Sequence, residues 1–474
     1  MLPPPPGRRV LIMIWDGLRP DMVSEQTTPT LVDLARRGVW FENSHSCFPT
    51  DTRVNAACLA TGARPGVHGV VGNELYVPQI KPRGTVSTAE RATLERLAKL
   101  SGGRALDVPT ISEVVQDLGL TAASAASGSE GTALLCNYAR DSIIIHPGFC
   151  QPAALEEYIY ERFGRVAPQA PAEERNRFVV EAFVQHVLPE VEPELAILWL
   201  TTPDDAQHRA GLGAPQAMAS IRANDEHLKS VLDALETHGL LEKTDIIVGS
   251  DHGFSTVAGQ VGVEQALADP ALGPGAEDIV VSSSGIFLPE GDEELLRAVV
   301  ARLQSLEGVG AIWTPGGAVQ GTLDRRRLFP DHARAPSVVY SAAWDESAND
   351  FGVAGTARGA GRARHGTSAL RDIRNVLVAW GKSFRKNVRS EVPVGIIDIA
   401  PTALWVMGIK PPRSMEGRVI AEALVEGPEP GEVPWEVRRE EAVAEVAGRR
   451  YLAWAEYACV EGRTYLRQAG ARGG

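Results

Sequence analysis

The sequence has few cysteines, few aromatic residues and no excess of positive charge. Its five cysteines are odd in number and do not form metal-type pairs, so we expect reduced thiols. Aromatic residues make up 6% of the chain, which leaves no obvious clamp for a nucleotide base. The formal net charge of −13 argues against binding of nucleic acid polymers.

Long apolar runs are also missing from the sequence. The first run, Val10–Trp15, is too short for the apolar segment of a signal peptide and leads into Asp16 without a small-residue cleavage site. No run approaches the ~20 residues that cross a bilayer. These patterns predict a cytoplasmic protein without a membrane partner. The sequence carries no sign of the oligomeric state.

Short apolar runs alternate with amphipathic helical segments along the chain. Continuous apolar runs at Val10–Trp15 and Leu195–Leu200 are typical of strands buried on both faces, and Asp245–Val248 (DIIV) is interpreted as the next buried strand. Helical spacing is found between them, for example over Thr28–Arg37 and Pro215–His238. The alternation predicts a doubly wound α/β fold, with a mostly parallel central sheet flanked by helices.

Composition divides the chain into a large catalytic domain, residues 1–426, and a small extension, residues 427–474. Within the first, the polar segment 76–104 is interpreted as a cap insertion, and residues 255–360 as a smaller lobe of mixed strands and one helix. Residues 427–435 are rich in Pro, Gly and Glu, as in a linker. Short alternating strands over Ala442–Gln468 predict an antiparallel meander.

Carboxylate and imidazole side chains follow three of the predicted strands directly. Ligands of open α/β sheets bind at the carboxyl ends of the strands, so these side chains are candidates for one shared site. Another histidine lies in a Gly-rich loop long enough to reach the same edge. The candidates are Asp16, Asp204, His208, Asp251, His252 and, in the loop, His365.

Thr52 occupies a position where a helix could begin, and the Gly-rich segment Gly69–Asn73 follows it. Backbone N–H groups at a helix start suit this threonine to meet an anion. On their own, Thr52 and Asp16 could equally be a helix cap and a turn residue. A lone Asp-His pair is usually a cap or a surface pair as well. Three such signals at strand ends of one sheet favour a functional site.

By their chemistry the candidates form two ligand sets. Asp204, His208 and His365 offer three ligands with open positions, as catalytic zinc requires. The second set is Asp16, Asp251 and His252, with Thr52 Oγ as its fourth ligand. Mixed carboxylate and imidazole ligands fit Zn²⁺, with Mn²⁺ as the alternative.

Two such ions would suit the hydrolysis of a small anionic phosphoester or phosphonate. They would activate the Thr52 hydroxyl, stabilise the leaving oxygen and neutralise the charge of an in-line transition state. Asn73 and the backbone N–H of Arg53 would donate to the equatorial phosphoryl oxygens.

The sequence resembles the alkaline phosphatase superfamily, and within it the type I phosphodiesterase/nucleotide pyrophosphatase family. The resemblance implies that fold, a threonine nucleophile at Thr52 with a covalent phosphoryl intermediate, a phosphate-binding Asn73 and six Asp/His zinc ligands at the positions above. The stretches that carry it are VLIMIWDGLRPD, TTPTLVDLARRGVWF, FPTDTRVNAACLATGARPGVHGVVGN, DVPTISEVVQDLG, TTPDDAQH, IIVGSDHGF, RHG and IDIAPTALWVMGIKPP.

Two positions depart from the family pattern. Arg53 stands where nucleotide-hydrolysing members usually carry an aromatic residue, and Gln207 replaces the usual glycine. An arginine beside the phosphoryl site could grip a phosphate or carboxylate, as a substrate of the related phosphonoacetate hydrolases would need. Phosphomonoesterase and sulfatase activities are further alternatives, although Asp51 replaces the arginine that the sulfatase motif beginning at Cys47 requires. The remaining alternative is a non-catalytic metal-binding module.

Overall fold

The computed structural model of the chain describes residues 7–273, 275–283, 285–446 and 448–473. Its centre is a nine-stranded sheet in which most neighbouring strands are parallel. The strand order across the sheet is Val388–Ser390, Val39–Phe41, Leu377–Trp380, Thr244–Gly249, Arg9–Trp15, Leu195–Leu200, Ala122–Ala126, Ile143–His146 and Phe149–Gln151.

The first strand lies near the middle of the sheet, between two parallel neighbours. Ile12 pairs with Ile247 on one side and with Ile197 on the other. Alternate side chains of a strand point to opposite faces, so an all-apolar strand must be covered twice. Val10, Ile12 and Ile14 enter one hydrophobic cluster and Leu11, Met13 and Trp15 enter another, which explains the continuous apolar run.

Helices cover both faces of the sheet. One face is packed by Thr52–Thr61, Arg91–Leu100, Ile111–Asp117, Glu130–Cys136 and Ile399–Val406. The other is packed by Pro29–Arg37, Leu155–Phe163, Ala172–Ala182 and Pro215–Thr237. The predicted doubly wound α/β architecture is therefore confirmed. Among the described residues, no helix combines the length and apolar content of a membrane-spanning segment.

Two smaller sheets are formed by the part of the chain between the core strands Thr244–Gly249 and Leu377–Trp380. A five-stranded sheet, with the helix Glu293–Gln304, has the order Val280–Val281, Gly285–Phe287, Val338–Ala342, Val309–Thr314 and Leu323–Asp324. A four-stranded sheet has the order Trp344–Ala348, Ala354–Ala357, Ser255–Val257 and Ala363–Arg364. The second sheet begins three residues after His252 and ends directly before His365, so it joins two predicted ligand segments.

The chain ends in a three-stranded antiparallel sheet of Trp435–Val446, Arg449–Val460 and Arg463–Gly473. We call it the C-terminal sheet. The predicted meander start at Ala442 is wrong, because pairing begins at Trp435 within the predicted linker. The side chains of Trp435–Glu441 are mostly exposed, so no apolar alternation marked this strand. The domain boundaries, including the cap 76–104, stay a prediction.

Contacts with the rest of the chain hold the C-terminal sheet in place. The Tyr451 hydroxyl donates to Gly310 O at 2.6 Å. The backbone N–H of Ala469 donates to Ser368 O at 2.9 Å, and the Ser368 hydroxyl donates to Ala469 O at 2.8 Å. Because Ser368 lies three residues after His365, the last strand supports the loop that carries this histidine.

Candidate active site

The structure brings all six predicted Asp and His ligands to one edge of the central sheet. Asp16 follows the strand Arg9–Trp15, and Asp251 and His252 follow its neighbour, Thr244–Gly249. Asp204 and His208 lie one turn apart on the helix Asp204–Ala210, which follows the third adjacent strand, Leu195–Leu200.

His252 lies at the centre of the inner part of the site. Its Nε2 is 3.2 Å from Asp251 Oδ2, 3.5 Å from Asp16 Oδ1 and 3.2 Å from Thr52 Oγ1. Asp16, Asp251, His252 and Thr52 are all buried. The four side chains that form the second predicted ligand set therefore converge on one point.

The outer part of the site is built around Asp204. Its Oδ2 is 3.3 Å from Nε2 of both His208 and His365. The His365 ring stacks on the His252 ring with 3.7 Å between centroids, so the inner and outer parts are continuous. His208 is 41% exposed, which places it at the mouth of the site.

The three histidines share one orientation. The Nδ1 atoms of His208, His252 and His365 lie 2.9, 2.9 and 2.7 Å from backbone carbonyl oxygens of Ala363, Gly253 and Thr50. A carbonyl oxygen only accepts, so each Nδ1 carries the proton and the Nε2 lone pair of the neutral ring faces the carboxylates. Metal-ligating histidines show this arrangement, because the second hydrogen bond fixes the tautomer and the ring.

Each carboxylate of the site also has an oxygen that could bind a metal ion. In the part of the chain that the structure describes, buried Asp16 Oδ1, Asp204 Oδ2 and Asp251 Oδ2 have no hydrogen-bond partner. The 3.2–3.5 Å separations between these oxygens and the imidazole nitrogens match the ~3.3 Å between ligands of a tetrahedral ion with bonds of ~2.0–2.1 Å. These residues therefore fit divalent metal ions.

The charges of the site repel one another when no cation is bound. Burial and the neighbouring carboxylates of Asp251 and Asp204 raise the pKa of Asp16 well above its usual value. Burial and Asp204 likewise raise the pKa of Asp251. Burial and the neighbouring His365 ring lower the pKa of His252 to about 4, so the His252 ring is neutral at neutral pH. A bound cation would relieve this repulsion.

Ligand atoms within 4.8 Å of one another define two groups, Asp204 with His252 and His365, and Asp16 with Asp251 and His252. His252 belongs to both groups and His208 to neither, whereas the sequence assigned His252 to the inner set and His208 to the outer set. The division into sets remains a prediction, with His252 at the boundary between them.

Thr52 is the first residue of the helix Thr52–Thr61, and Asp51 precedes it as N-cap. Asn73 lies beside this helix start, where its Oδ1 accepts a hydrogen bond of 3.1 Å from the backbone N–H of Arg53. Asp51 Oδ2 accepts the backbone N–H of Asn73 at 3.1 Å. In the structure this N–H of Arg53 orients the Asn73 amide. Its role as a donor to a phosphoryl oxygen stays a prediction.

The Arg53 guanidinium lies within the electrostatic field of the site. Burial lowers its pKa, while Asp51 and the ligands Asp16, Asp204 and Asp251 oppose that shift. Its Nε is buried and has no hydrogen-bond partner within the described ranges. Arg53 is therefore half-buried, rather than directed fully into solvent.

Sequence analysis did not identify the side chains that support the ligands. Trp199 Nε1 donates to Asp16 Oδ2 at 3.1 Å, which leaves Oδ1 for the site. Trp199 lies in the apolar strand Leu195–Leu200, so the sequence did not indicate this role. The buried Asp372 was also missed, because an aspartate on a short helix is common.

Asp372 joins the two segments that carry His252 and His365. Its Oδ1 accepts the Ser255 hydroxyl at 2.5 Å. Its Oδ2 accepts the backbone N–H and hydroxyl of Thr367 at 3.0 and 2.6 Å. Ser255 lies three residues after His252, and Thr367 lies two after His365. Asp372 thus acts as a positioning residue that holds the two histidines at a fixed separation.

We expect Asp372→Asn to weaken metal binding about 10- to 100-fold, as changes behind metal ligands commonly do. The amide keeps the size of the side chain, but its NH₂ group cannot accept the bonds of Ser255 or Thr367. The measurement is competition with a chromogenic chelator, alongside the melting temperature of metal-free protein.

The matched control for this experiment is Asp398→Asn. Asp398 is also fully buried, and it accepts the Gly395 N–H and the Tyr465 hydroxyl, both at 2.7 Å. Its replacement should lower the melting temperature without changing metal affinity. Unchanged metal affinity in Asp372→Asn would contradict the positioning role.

Comparison with known proteins places the chain among phosphodiesterase-type proteins. Ectonucleotide pyrophosphatase/phosphodiesterase family member 3 of Mus musculus is 23% identical over 256 residues, which are 53% of this chain and 26% of the relative. Bis(5'-adenosyl)-triphosphatase ENPP4 of Bos taurus is 23% identical over 252 residues, which are 52% of this chain and 48% of the relative. The chain thus matches about a quarter to a half of the length of these relatives.

Solved structures show the same fold. Murine ectonucleotide pyrophosphatase/phosphodiesterase 5 aligns with a TM-score of 0.64 and 18% identity, over 88% of this chain and 100% of that one. An inactive variant of that protein, solved in complex with AMP, aligns with a TM-score of 0.63 and 19% identity over the same shares. Residues 10–335 match the family model described as type I phosphodiesterase / nucleotide pyrophosphatase. The chain belongs to the type I phosphodiesterase/nucleotide pyrophosphatase family.

Proposed function

We propose that this chain hydrolyses phosphoric esters of the phosphodiester or pyrophosphate type, with Thr52 as the nucleophile and two divalent ions as cofactors. The observation that carries the proposal is the shared orientation of three histidines, whose Nε2 atoms face unpartnered carboxylate oxygens beside Thr52 Oγ1. Family membership supports the same reaction class. Zn²⁺ suits the mixed donors best, and Mn²⁺ is the alternative.

The ligands would divide between an outer and an inner ion. Asp204, His208 and His365 would hold the outer ion. Asp16, Asp251, His252 and Thr52 Oγ would hold the inner one. When bound, the ions would lower the pKa of the Thr52 hydroxyl and neutralise charge on the phosphoryl and leaving oxygens.

Thr52 would attack phosphorus from the start of its helix. Its Oγ forms a bond to phosphorus while the bond from phosphorus to the leaving oxygen breaks, which gives a covalent phosphothreonine. Water then hydrolyses this ester and restores the hydroxyl. The Asn73 NH₂ group donates to a phosphoryl oxygen as charge develops there, with its orientation held by the Arg53 N–H and by Asp51.

The substrate would be a small anionic phosphoester or phosphonate; in a phosphonate the bond that breaks runs from phosphorus to carbon. The AMP complex of the structural neighbour and the names of the relatives make nucleotides one class to test. Arg53 favours a second class, in which a further phosphate charge or a carboxylate lies beside the reacting phosphorus, as in phosphonoacetate. A guanidinium grips such an anion with paired hydrogen bonds.

A substrate panel on zinc-loaded protein tests the proposal. It compares a chromogenic aryl phosphodiester, a nucleoside triphosphate, a phosphate monoester, a sulfate ester and phosphonoacetate. We expect turnover of the diester or the triphosphate and little turnover of the sulfate ester. A protein that binds metal but turns over none of the five would be a non-catalytic module.

Replacement of Arg53 by alanine should change the order of preference within that panel. A charge-assisted contact contributes about 1.5–3 kcal/mol, so kcat/KM for phosphonoacetate or a monoester should fall about tenfold more than for the diester. The control is Arg209→Ala, because Arg209 lies beside His208 yet is 61% exposed and pairs with Asp205. Equal losses on every substrate, or no loss on any, would remove Arg53 from substrate recognition.

A further inference from the structure

The strand Trp435–Val446 forms an open edge of the C-terminal sheet. We call it the edge strand. All of its 12 residues pair on one side with Arg449–Val460. Within the described residues, no strand pairs with its other side. An open edge of this length presents unpaired backbone N–H and C=O groups to any strand that can align with it.

Apolar side chains are concentrated on the exposed surface of the edge strand. The described part of the chain has eight large hydrophobic residues that are exposed, and three of them are Trp435, Val437 and Val443. All three have odd positions and therefore project from the same face of the strand. Exposed apolar residues on an open edge are typical of an interface.

The central residues of that face, Val437, Arg439, Glu441 and Val443, are self-complementary. In an antiparallel pair of identical strands related by a two-fold axis at Glu440, Arg439 lies opposite Glu441 of the second copy. In the same register, Val437 lies opposite Val443 of the second copy. The two-fold axis repeats each contact, which gives two ion pairs and two apolar pairs on one face.

Contacts within one copy are compatible with this register. Arg439 Nε contacts Glu441 at 2.9 Å and its NH1 contacts Glu456 of the neighbouring strand at 3.1 Å, so the guanidinium lies on this face beside Glu441. The two copies of Glu440 would meet on the opposite face at the axis. Glu440 lies 2.9 Å from Arg327 NH2, and that arginine reduces the repulsion.

We propose that the edge strand is a dimerisation surface and that its partner is the same strand of a second copy of this chain. The two C-terminal sheets then join as one six-stranded antiparallel sheet. The charge pattern supports a second copy of this chain as the partner, because one sequence supplies both members of each ion pair. The proposal does not depend on the catalytic function.

Sedimentation analysis over a range of protein concentrations, with the complete chain, tests the proposal. Wild-type protein should form dimers, and Arg439→Glu should weaken dimerisation about tenfold or more because glutamates then face each other. Glu441→Arg should have the same effect through facing arginines. When the two variants are mixed, their charges complement each other, and the mixture should form heterodimers. The double variant Arg439→Glu/Glu441→Arg should again form homodimers.

The matched control is Val425→Lys, since Val425 is 57% exposed and lies outside the edge strand. It should leave dimerisation unchanged, whereas Val437→Lys should weaken it. Circular dichroism will show whether each variant is folded. A monomeric wild type would overturn the proposal, whether the edge is free or binds a different protein. A wild-type dimer insensitive to both single charge reversals would overturn it equally.

Discussion

Thr52→Ala should fold, retain most of its bound metal and lose on the order of 10³-fold or more in kcat for a chromogenic phosphodiester. The hydroxyl lies 3.2 Å from His252 Nε2, where the inner ligands converge, so its removal deletes the attacking atom. Thr52 is not the N-cap residue of its helix, since Asp51 occupies that position. We therefore expect a small effect on stability.

Two variants separate loss of the nucleophile from disturbance of its helix. Thr52→Ser keeps the hydroxyl and should retain partial activity. Thr61→Ala alters a buried threonine at the other end of the same helix, whose hydroxyl donates to Ala57 O at 2.6 Å, and should retain nearly full activity. Wild-type rates in Thr52→Ala would instead mean that water attacks phosphorus directly.

Asp251→Ala should reduce bound zinc from about two equivalents to about one and abolish nearly all turnover. Three protein ligands are the minimum in known catalytic zinc sites. This change removes one of the two carboxylates of the inner set and leaves Asp16 and His252 as its Asp and His ligands. Elemental analysis of protein purified without chelator measures the metal directly. Metal-free protein with full activity would contradict the requirement for metal.

Because Asp251 is fully buried, its variant needs a test of packing as well. Asp251→Asn keeps the Oδ1 that accepts the Gly17 N–H at 3.1 Å, yet replaces the facing oxygen with an NH₂ group that cannot ligate. It should lose metal as Asp251→Ala does. Asp245 lies on the strand that precedes Asp251 and pairs with Arg8 at 2.7 Å, so Asp245→Asn should lower stability and keep both equivalents of zinc.

Local patterns were sufficient to predict the sheet and most of the site. Asp16, Asp251 and Asp204 follow apolar strands, and parallel strands bring their carboxyl ends to one edge. Local sequence pattern could not place His365 at this edge, because its position there depends on a four-stranded sheet assembled from distant segments. The resemblance to a family supplied that step.

Features that depend on three-dimensional packing could not be predicted. The carbonyl partners of the His208 and His365 Nδ1 atoms have no local sequence signal, because they lie far away in the chain. The same holds for the bond between Asp372 and Ser255. The edge strand was missed over Trp435–Glu441 for a different reason. Both of its faces are largely solvated there, so the alternation that marks a half-buried strand is absent.

Because of the hydrogen bonds between Ser368 and Ala469, the His365 loop cannot be fully supported until the last strand has been synthesised. During synthesis the ribosome releases Asp16 and Thr52 long before Ala469, the residue whose backbone exchanges two hydrogen bonds with Ser368. A nascent chain that has not yet reached this strand lacks the support behind the His365 loop. The edge of the sheet that carries the candidate ligands is therefore completed only after the strand Arg463–Gly473 has left the ribosome.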